Sequence, residues 1–167
     1  MPTATVASAS HTVVTTGWTS PSNAFASTGD NVYATAIPGR NGTVSGDFFP
    51  ANIAAATICD GARIIDITAT CEWKQSASVT GGVLGVQLGT ASLVGTETTV
   101  ANKTVEGDDT VNQIATWAIG DLRAASTNLK ARVRVSQGNT STAMTASLDF
   151  VKFDIDYIPS TCACLGC

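Results

Sequence analysis

The sequence predicts an all-β fold: a single antiparallel β-sandwich, jelly-roll-like, with an extended N-terminal arm and a short C-terminal tail. Three observations predict it. Charged residues make up 13% of the 167 residues, about half the roughly 25% of an ordinary globular chain. Thr, Ser, Ala, Val and Gly take their place; these suit strands with a polar outer side and disfavour long exposed helices. Apolar and polar residues alternate with a period of two in several runs, which a 3.6-residue helical period cannot produce. Finally, Gly-, Asn- and Pro-containing turn signals recur at the spacing of a sandwich or barrel rather than of a βαβ fold.

The domain assignment is 1–11 as an arm, 12–158 as the sandwich and 159–167 as a cysteine-containing tail. Residues 1–11 are small and polar. Short strands are predicted at Thr12–Thr16, Val32–Ile37, Thr43–Phe48, Val83–Leu88, Ser92–Thr98 and Val111–Ala118. The clearest strand begins at Arg63, where Ile65, Ile67, Ala69, Cys71 and Trp73 share one face and Asp66, Thr68, Thr70, Glu72 and Lys74 the other. A second runs through Val151, Phe153, Ile155 and Tyr157, alternating with Lys152, Asp154 and Asp156. Upstream, Ala131, Val133 and Val135 alternate with Lys130, Arg132 and Arg134, and Gln137-Gly138-Asn139 reads as a hairpin turn joining the two runs. That hairpin would set the cationic face of 130–136 beside the anionic face of 152–156. Ile53–Thr57 and Ile119–Ala125 are expected to form a helical turn or two.

Net charge is −4 and the cations form no run, so nucleic acid is not an expected partner. No apolar stretch approaches the ~18 residues of a membrane helix, and no membrane partner is expected. The start, Met1-Pro2-Thr3-Ala4-Thr5, lacks the basic and apolar regions of a signal peptide, so synthesis in a cytoplasm without export by the common route is expected.

No catalytic centre and no cofactor are predicted. His11 is the one histidine; it falls in the arm, away from the packing that a catalytic imidazole needs, and reads as a polar surface residue. Glu106, Asp108 and Asp109 form the tightest acidic cluster, in a glycine-containing loop; a solvated loop is the plain reading and a Ca²⁺ site the sharper one. Asp30 and Asp47 read as turn residues. Cys71 falls on an inward face and reads as a small buried hydrophobe. Cys59 stands too far along extended chain to bond it. Cys162, Cys164 and Cys167 lack the fourth ligand of a closed zinc site, so a metal held by these three is only the minor reading; exposed thiols, or a disulfide within the tail or to a neighbouring chain, are the others. Trp18 lies in a loop-like stretch and reads as a plug on the end of the sandwich, or as a stacking platform for a ligand such as a sugar.

The stretch Gly17-Trp18-Thr19-Ser20-Pro21, followed by Asn23-Ala24, the turn Gly29-Asp30 and the strand Tyr33-Ala34-Thr35, resembles the opening of small β-sandwich virion structural proteins of tailed bacteriophages, of the capsid-decoration or minor-tail type. Asp60-Gly61-Ala62-Arg63-Ile64 before the long strand and the closing Phe150–Tyr157 strand extend the likeness over about 12–158. The resemblance implies a virion location and synthesis in the host cytoplasm. It implies a homo-oligomer, such as a trimer, that contacts other virion proteins such as the major capsid protein, and it implies no catalytic residue. Met1, Pro2, Thr3 and His11 of the arm, with Cys162, Cys164 and Cys167 of the tail, are then the expected assembly and attachment residues. The alternative is a tail-associated, receptor- or carbohydrate-binding module.

Overall fold

The computed structural model describes residues 1–15, 17–26, 28–51, 58–59, 61–89, 96–113 and 129–160, with backbone only at Asn112 and Gln113. The chain is all-β. Among the described residues nine strands run β1 (Thr3–Val13), β2 (Ala34–Ala36), β3 (Thr43–Pro50), β4 (Arg63–Gln75), β5 (Val83–Gly89), β6 (Thr98–Ala101), β7 (Gly107–Gln113), β8 (Lys130–Ser136) and β9 (Ala146–Ile158). Pro21–Ala24 forms one 3₁₀ turn. Every strand pair is antiparallel, in the continuous order β6-β5-β8-β3-β1-β9-β4-β7, with β2 beside β9.

The sheet folds on itself at β1. Thr3–Ala7 pair with Asp156–Lys152 of β9, and Ser8–Val13 pair with Pro50–Gly46 of β3. A bulge between Ser8 and Ser10 marks the changeover, since an extra residue bends a strand and lets it turn a corner between layers. The two layers are therefore sheet A (β1, β2, β9, β4, β7) and sheet B (β1, β3, β8, β5, β6). Their inner faces supply the core, in which Trp73, Phe153 and Ile67 of sheet A and Phe48, Leu84 and Leu88 of sheet B are fully enclosed.

This overturns the expectation of a free N-terminal arm: residues 3–13 are a central strand, and its first half is paired backbone to backbone with β9. Small polar residues hid it. Thr3, Thr5 and Ala7 lie on the outer side, and of the alternating positions only Ala4 and Val6 are apolar. The Thr3 and Thr5 hydroxyls donate to Asp156 and Asp154 on the partner strand.

The expected hairpin of 130–136 with 151–157 does not form. β8 pairs with β3 and β5 in sheet B, whereas β9 pairs with β1 and β4 in sheet A. Residues 137–145 cross between layers, and the cations of β8 find their anions on sheet B instead. In β4 the inward set begins with Ile64, 5% exposed, and not Ile65. A bulge between Ile64 and Asp66 shifts the alternation by one residue before Ile67 restores it. Of the remaining runs, Thr43–Phe48 and Val83–Leu88 fall close to expectation, β2 is shorter than Val32–Ile37 and β7 starts earlier than Val111, whereas the separate strand expected at Thr12–Thr16 is only the end of β1, which stops at Val13. The helical turns expected at 53–57 and 119–125, most of Ser92–Thr98 and the end of Val111–Ala118 lie outside the described residues. Turn chemistry was legible: Asn31, Asn41, Gly61 and Gly81 all adopt positive φ, the region that Asn and Gly tolerate.

Candidate functional site

Two polar constellations stand on the outer faces. The first is on sheet A, where β4 runs between β7 and β9. Glu72 lies directly across from Asp108 on β7 and Phe150 on β9. The register slips between Glu72 and Trp73, so Asp149 of β9 is the unpaired residue of a bulge. The chain before β2 wraps over it: the Asn31 N–H donates to Asp149 at 3.0 Å and the Asp30 N–H at 3.4 Å. Asp30 in turn caps its own turn by accepting from the Val32 N–H at 2.9 Å, an Asx turn. Glu106, just before β7, completes the group. Oxygens of Glu72, Glu106 and Asp149 lie within 4.8 Å of one another.

The three carboxylates differ in their surroundings. Burial would raise Glu106, but Lys74 and the Tyr33 hydroxyl donate to it and hold it below the ordinary carboxylate range. The Lys74 ammonium also sits 4.6 Å from the centre of the Tyr33 ring, a cation–π contact. Asp149 is pushed up by burial, against the pull of the Asn31 and Asp30 N–H groups. Glu72 is pushed up by burial and by the charges of Asp108, Asp149 and Glu106. A side chain at Gly29 would overlap the Glu72 carboxylate, so glycine lets the turn lie flat on the cluster. Chemically, three such oxygens could close on a hard cation or share a proton.

This repulsion gives a testable asymmetry. A carboxyl group whose folded pKa is raised costs the fold stability once it ionises; the cost shrinks as pH falls through its folded value and is gone below its unfolded one. Glu72→Gln is therefore expected to raise Tm at pH 7 by about 1–3 °C, for a gain of about 0.5–1 kcal/mol after solvent screening. The gain should disappear near pH 4, which thermal melts at the two pH values check.

The second constellation is on sheet B. Asp47 of β3 accepts from Arg132 Nε at 2.7 Å, Arg132 Nη2 at 3.0 Å and Lys130 Nζ at 2.9 Å. Asp47 is 5% exposed. Burial acts to raise its pKa, and the Arg132 and Lys130 donors outweigh it and leave the carboxyl below its usual value. One strand further, Glu97 crosses the open position at Gly85 to take both Nε and Nη2 of Arg134 at 2.8 and 2.7 Å. The alternating cations of β8 thus form a row of ion pairs, to Asp47 on neighbouring β3 and to Glu97 beyond β5. Asp47, expected in a turn, is the buried anchor of that row.

The other sequence-predicted residues are dispersed. Glu106, Asp108 and Asp109 do not act together. Glu106 joins Glu72 and Asp149, whereas Asp109 turns to the inner side and accepts from the Trp73 indole N–H and from Lys103. Trp18 is 6% exposed and packs edge-on to Phe48 with ring centres 6.3 Å apart. It therefore offers no open face, and the stacking-platform reading is withdrawn in favour of the plug. Thr3 is used inside the chain by Asp156, Met1 is exposed, and the Pro2 carbonyl accepts from the Tyr157 N–H at 3.2 Å. His11 is half-buried against Phe48, with ring centres 4.8 Å apart, and not a free surface group. Cys71 is fully buried; burial, with Asp109 and Asp108 nearby, pushes its thiol far up, the state of an inert structural cysteine. Cys59 and Cys71 are not joined. Cys162, Cys164 and Cys167 lie outside the described residues.

Sequence reasoning missed Glu72 and Asp149, because they are far apart along the chain and each looks like the polar partner of an alternating strand. The one local signal was the adjacent apolar pair Phe150-Val151, which breaks the alternation next to the bulge.

No family model and no curated protein matches the chain. Among solved structures, one described as CBM4 is similar over 92% of this chain and 94% of its own, at 15% identity and TM-score 0.47. The N-terminal cellulose-binding domain of Cellulomonas fimi β-1,4-glucanase C is similar over 78% and 80%, at 16% identity and TM-score 0.43. A structure of infectious bursal disease virus is similar over 96% of this chain and 32% of its own, at 16% identity and TM-score 0.41.

Proposed function

We propose that the chain is a non-catalytic module that works by presenting surfaces to a partner, as a self-associating structural component of a virion does. The observation that carries this reading is a set of exposed apolar side chains around the segments joined at Thr19 and Thr35. The Thr19–Thr35 bridge runs two segments side by side, so that Gly17 and Ile37 lie two residues beyond it. Val13 rests against Gly17. Val13, Val14 and Ile37 are 54%, 39% and 63% exposed. Apolar side chains that a fold leaves grouped in water mark contact surfaces. Meanwhile many of the described carboxylates are committed to partners within the chain: Asp47, Glu97, Glu106 and Asp109 to cations, and Asp154 and Asp156 to threonines. Groups held this way support a scaffold more than a reaction.

Sedimentation of the purified chain over a wide concentration range tests this. A homo-oligomer is expected, with Val13→Asp and Ile37→Asp together shifting it to monomer; a monomer at every concentration overturns self-association. Copies found in intact phage particles by mass spectrometry would support the virion reading.

A carbohydrate-binding module is the second reading. It is favoured by the outer face of sheet B, where the guanidinium groups of Arg132 and Arg134 beside Asp47 and Glu97 supply the hydrogen-bonding groups that sugar hydroxyls use. Retardation of the wild-type chain, but not of Arg134→Ala, in a polysaccharide-containing gel would support it over self-assembly. Equal mobility with and without polysaccharide would set it aside.

A further inference from the structure

His11 is the one histidine of the chain, and its environment is unusual. The ring lies on the inner side of the C-terminal half of β1, opposite Phe48 in register. Nε2 is enclosed and has no hydrogen-bond partner among the described residues. The ring occupies the space over Gly46 so fully that a Cβ there would overlap Nε2. Glycine within a strand weakens it unless something approaches the backbone closely; here the imidazole is what approaches. Phe48 is thereby held between His11 and Trp18, and the Trp18 indole N–H is likewise enclosed and unpartnered.

We infer that His11 is an acid-sensitive latch: its neutral ring fastens Ser10–Val13 to β3, and protonation releases that half of β1 while the Thr3–Ala7 half stays paired with β9. A neutral imidazole carries one N–H, and taking a proton from solvent makes both nitrogens donors on a cation. At Nε2 the new charge meets the Gly46 backbone and an aromatic ring, and a buried charge without an acceptor is costly. Among the described residues the charge that favours the protonated ring is Asp47 on β3, and it already serves Lys130 and Arg132 of β8. Ser10, Thr12 and Thr15 on the same stretch carry no charge. Burial accordingly holds the imidazole below its ordinary range, with Asp47 opposing. Beyond the bulge the Thr3–Ala7 half has its own pairing and two threonine–aspartate bonds, which is why release stops there.

Native-state hydrogen exchange, corrected for intrinsic rates, tests the latch on the full chain. Between pH 7.5 and 5, opening of the Ser10–Val13 amides is expected to increase about three- to tenfold relative to β4, one pK unit being worth tenfold. In His11→Gln that increase should vanish. Local exchange is the readout because Glu72 and Asp149 gain protons with the opposite effect on stability. Where the variant does not fold, an NMR titration of the His11 ring in the folded chain and in urea replaces it. A folded midpoint below the unfolded one is expected. Equal midpoints, or acid-accelerated exchange persisting in His11→Gln, would overturn the latch.

Discussion

Replacing Trp73 by alanine is expected to destabilise the fold by about 3–5 kcal/mol, the cost of emptying a buried indole site. For a chain of this size that lowers Tm by about 6–20 °C. Trp73 is fully enclosed and lies in β4, the strand that pairs along its length with β9 and along half of it with β7. It fills the space between layers where β7 ends the sheet, and its N–H goes to Asp109. The truncation leaves a cavity at the edge of sheet A and removes one of two donors to that carboxylate. Trp73→Phe separates the two losses: it keeps most of the volume and gives up the N–H, so it is expected to cost less than half as much. Urea unfolding of the three proteins, with m unchanged, is the measurement.

Asp47→Ala is expected to cost about 3–5 kcal/mol, because it leaves two cations without their anion on a largely buried patch. Asp47→Asn should cost less, since an amide oxygen still accepts from Arg132. The pH dependence identifies the cause. A carboxylate with a depressed folded pKa contributes stability that is complete above its unfolded value, about 3.9. That stability is lost as pH falls through the folded value. The wild-type chain should therefore lose this contribution below about pH 4, and Asp47→Ala should show a correspondingly shallower acid limb. Stability curves from pH 2 to 7 read this directly. Raised salt should weaken the Arg134–Glu97 pair, which is about a third exposed, more than the Asp47 group.

These residues also show which parts of the molecule were readable in advance. Trp73 and Cys71 announced themselves through strict alternation with Thr70, Glu72 and Lys74, because a strand with one buried face repeats every two residues whatever it packs against. The same logic found β8 and most of β9, and β3 and β5 also fall where short strands were expected. It failed at Ile65, where a bulge adds one residue to the count; a bulge is set by the partner strand and leaves little local mark. It also failed at Thr3–Val13, where the pairing groups are backbone amides and the side chains are too small to betray a buried face.

Composition, alternation and turn chemistry by themselves determined that this chain is an antiparallel β-structure with most of its strands in place and Cys71 and Trp73 inside. Those properties are local: each follows from the two-residue repeat of a strand or from the φ a turn demands. Which strands become neighbours was decided by the tertiary structure. The ends of β8 and β9 are joined by a turn-like segment, yet they lie in different layers. Arg132 and Arg134 bind Asp47 and Glu97, and Asp154 and Asp156 bind threonines of β1. The outer-face charges complement either pairing, and only closing a common core between two layers chooses one. The same closure gathers Glu72, Glu106 and Asp149, seats the His11 ring on Gly46 and hides Trp18, so the polar sites of this protein are products of its packing.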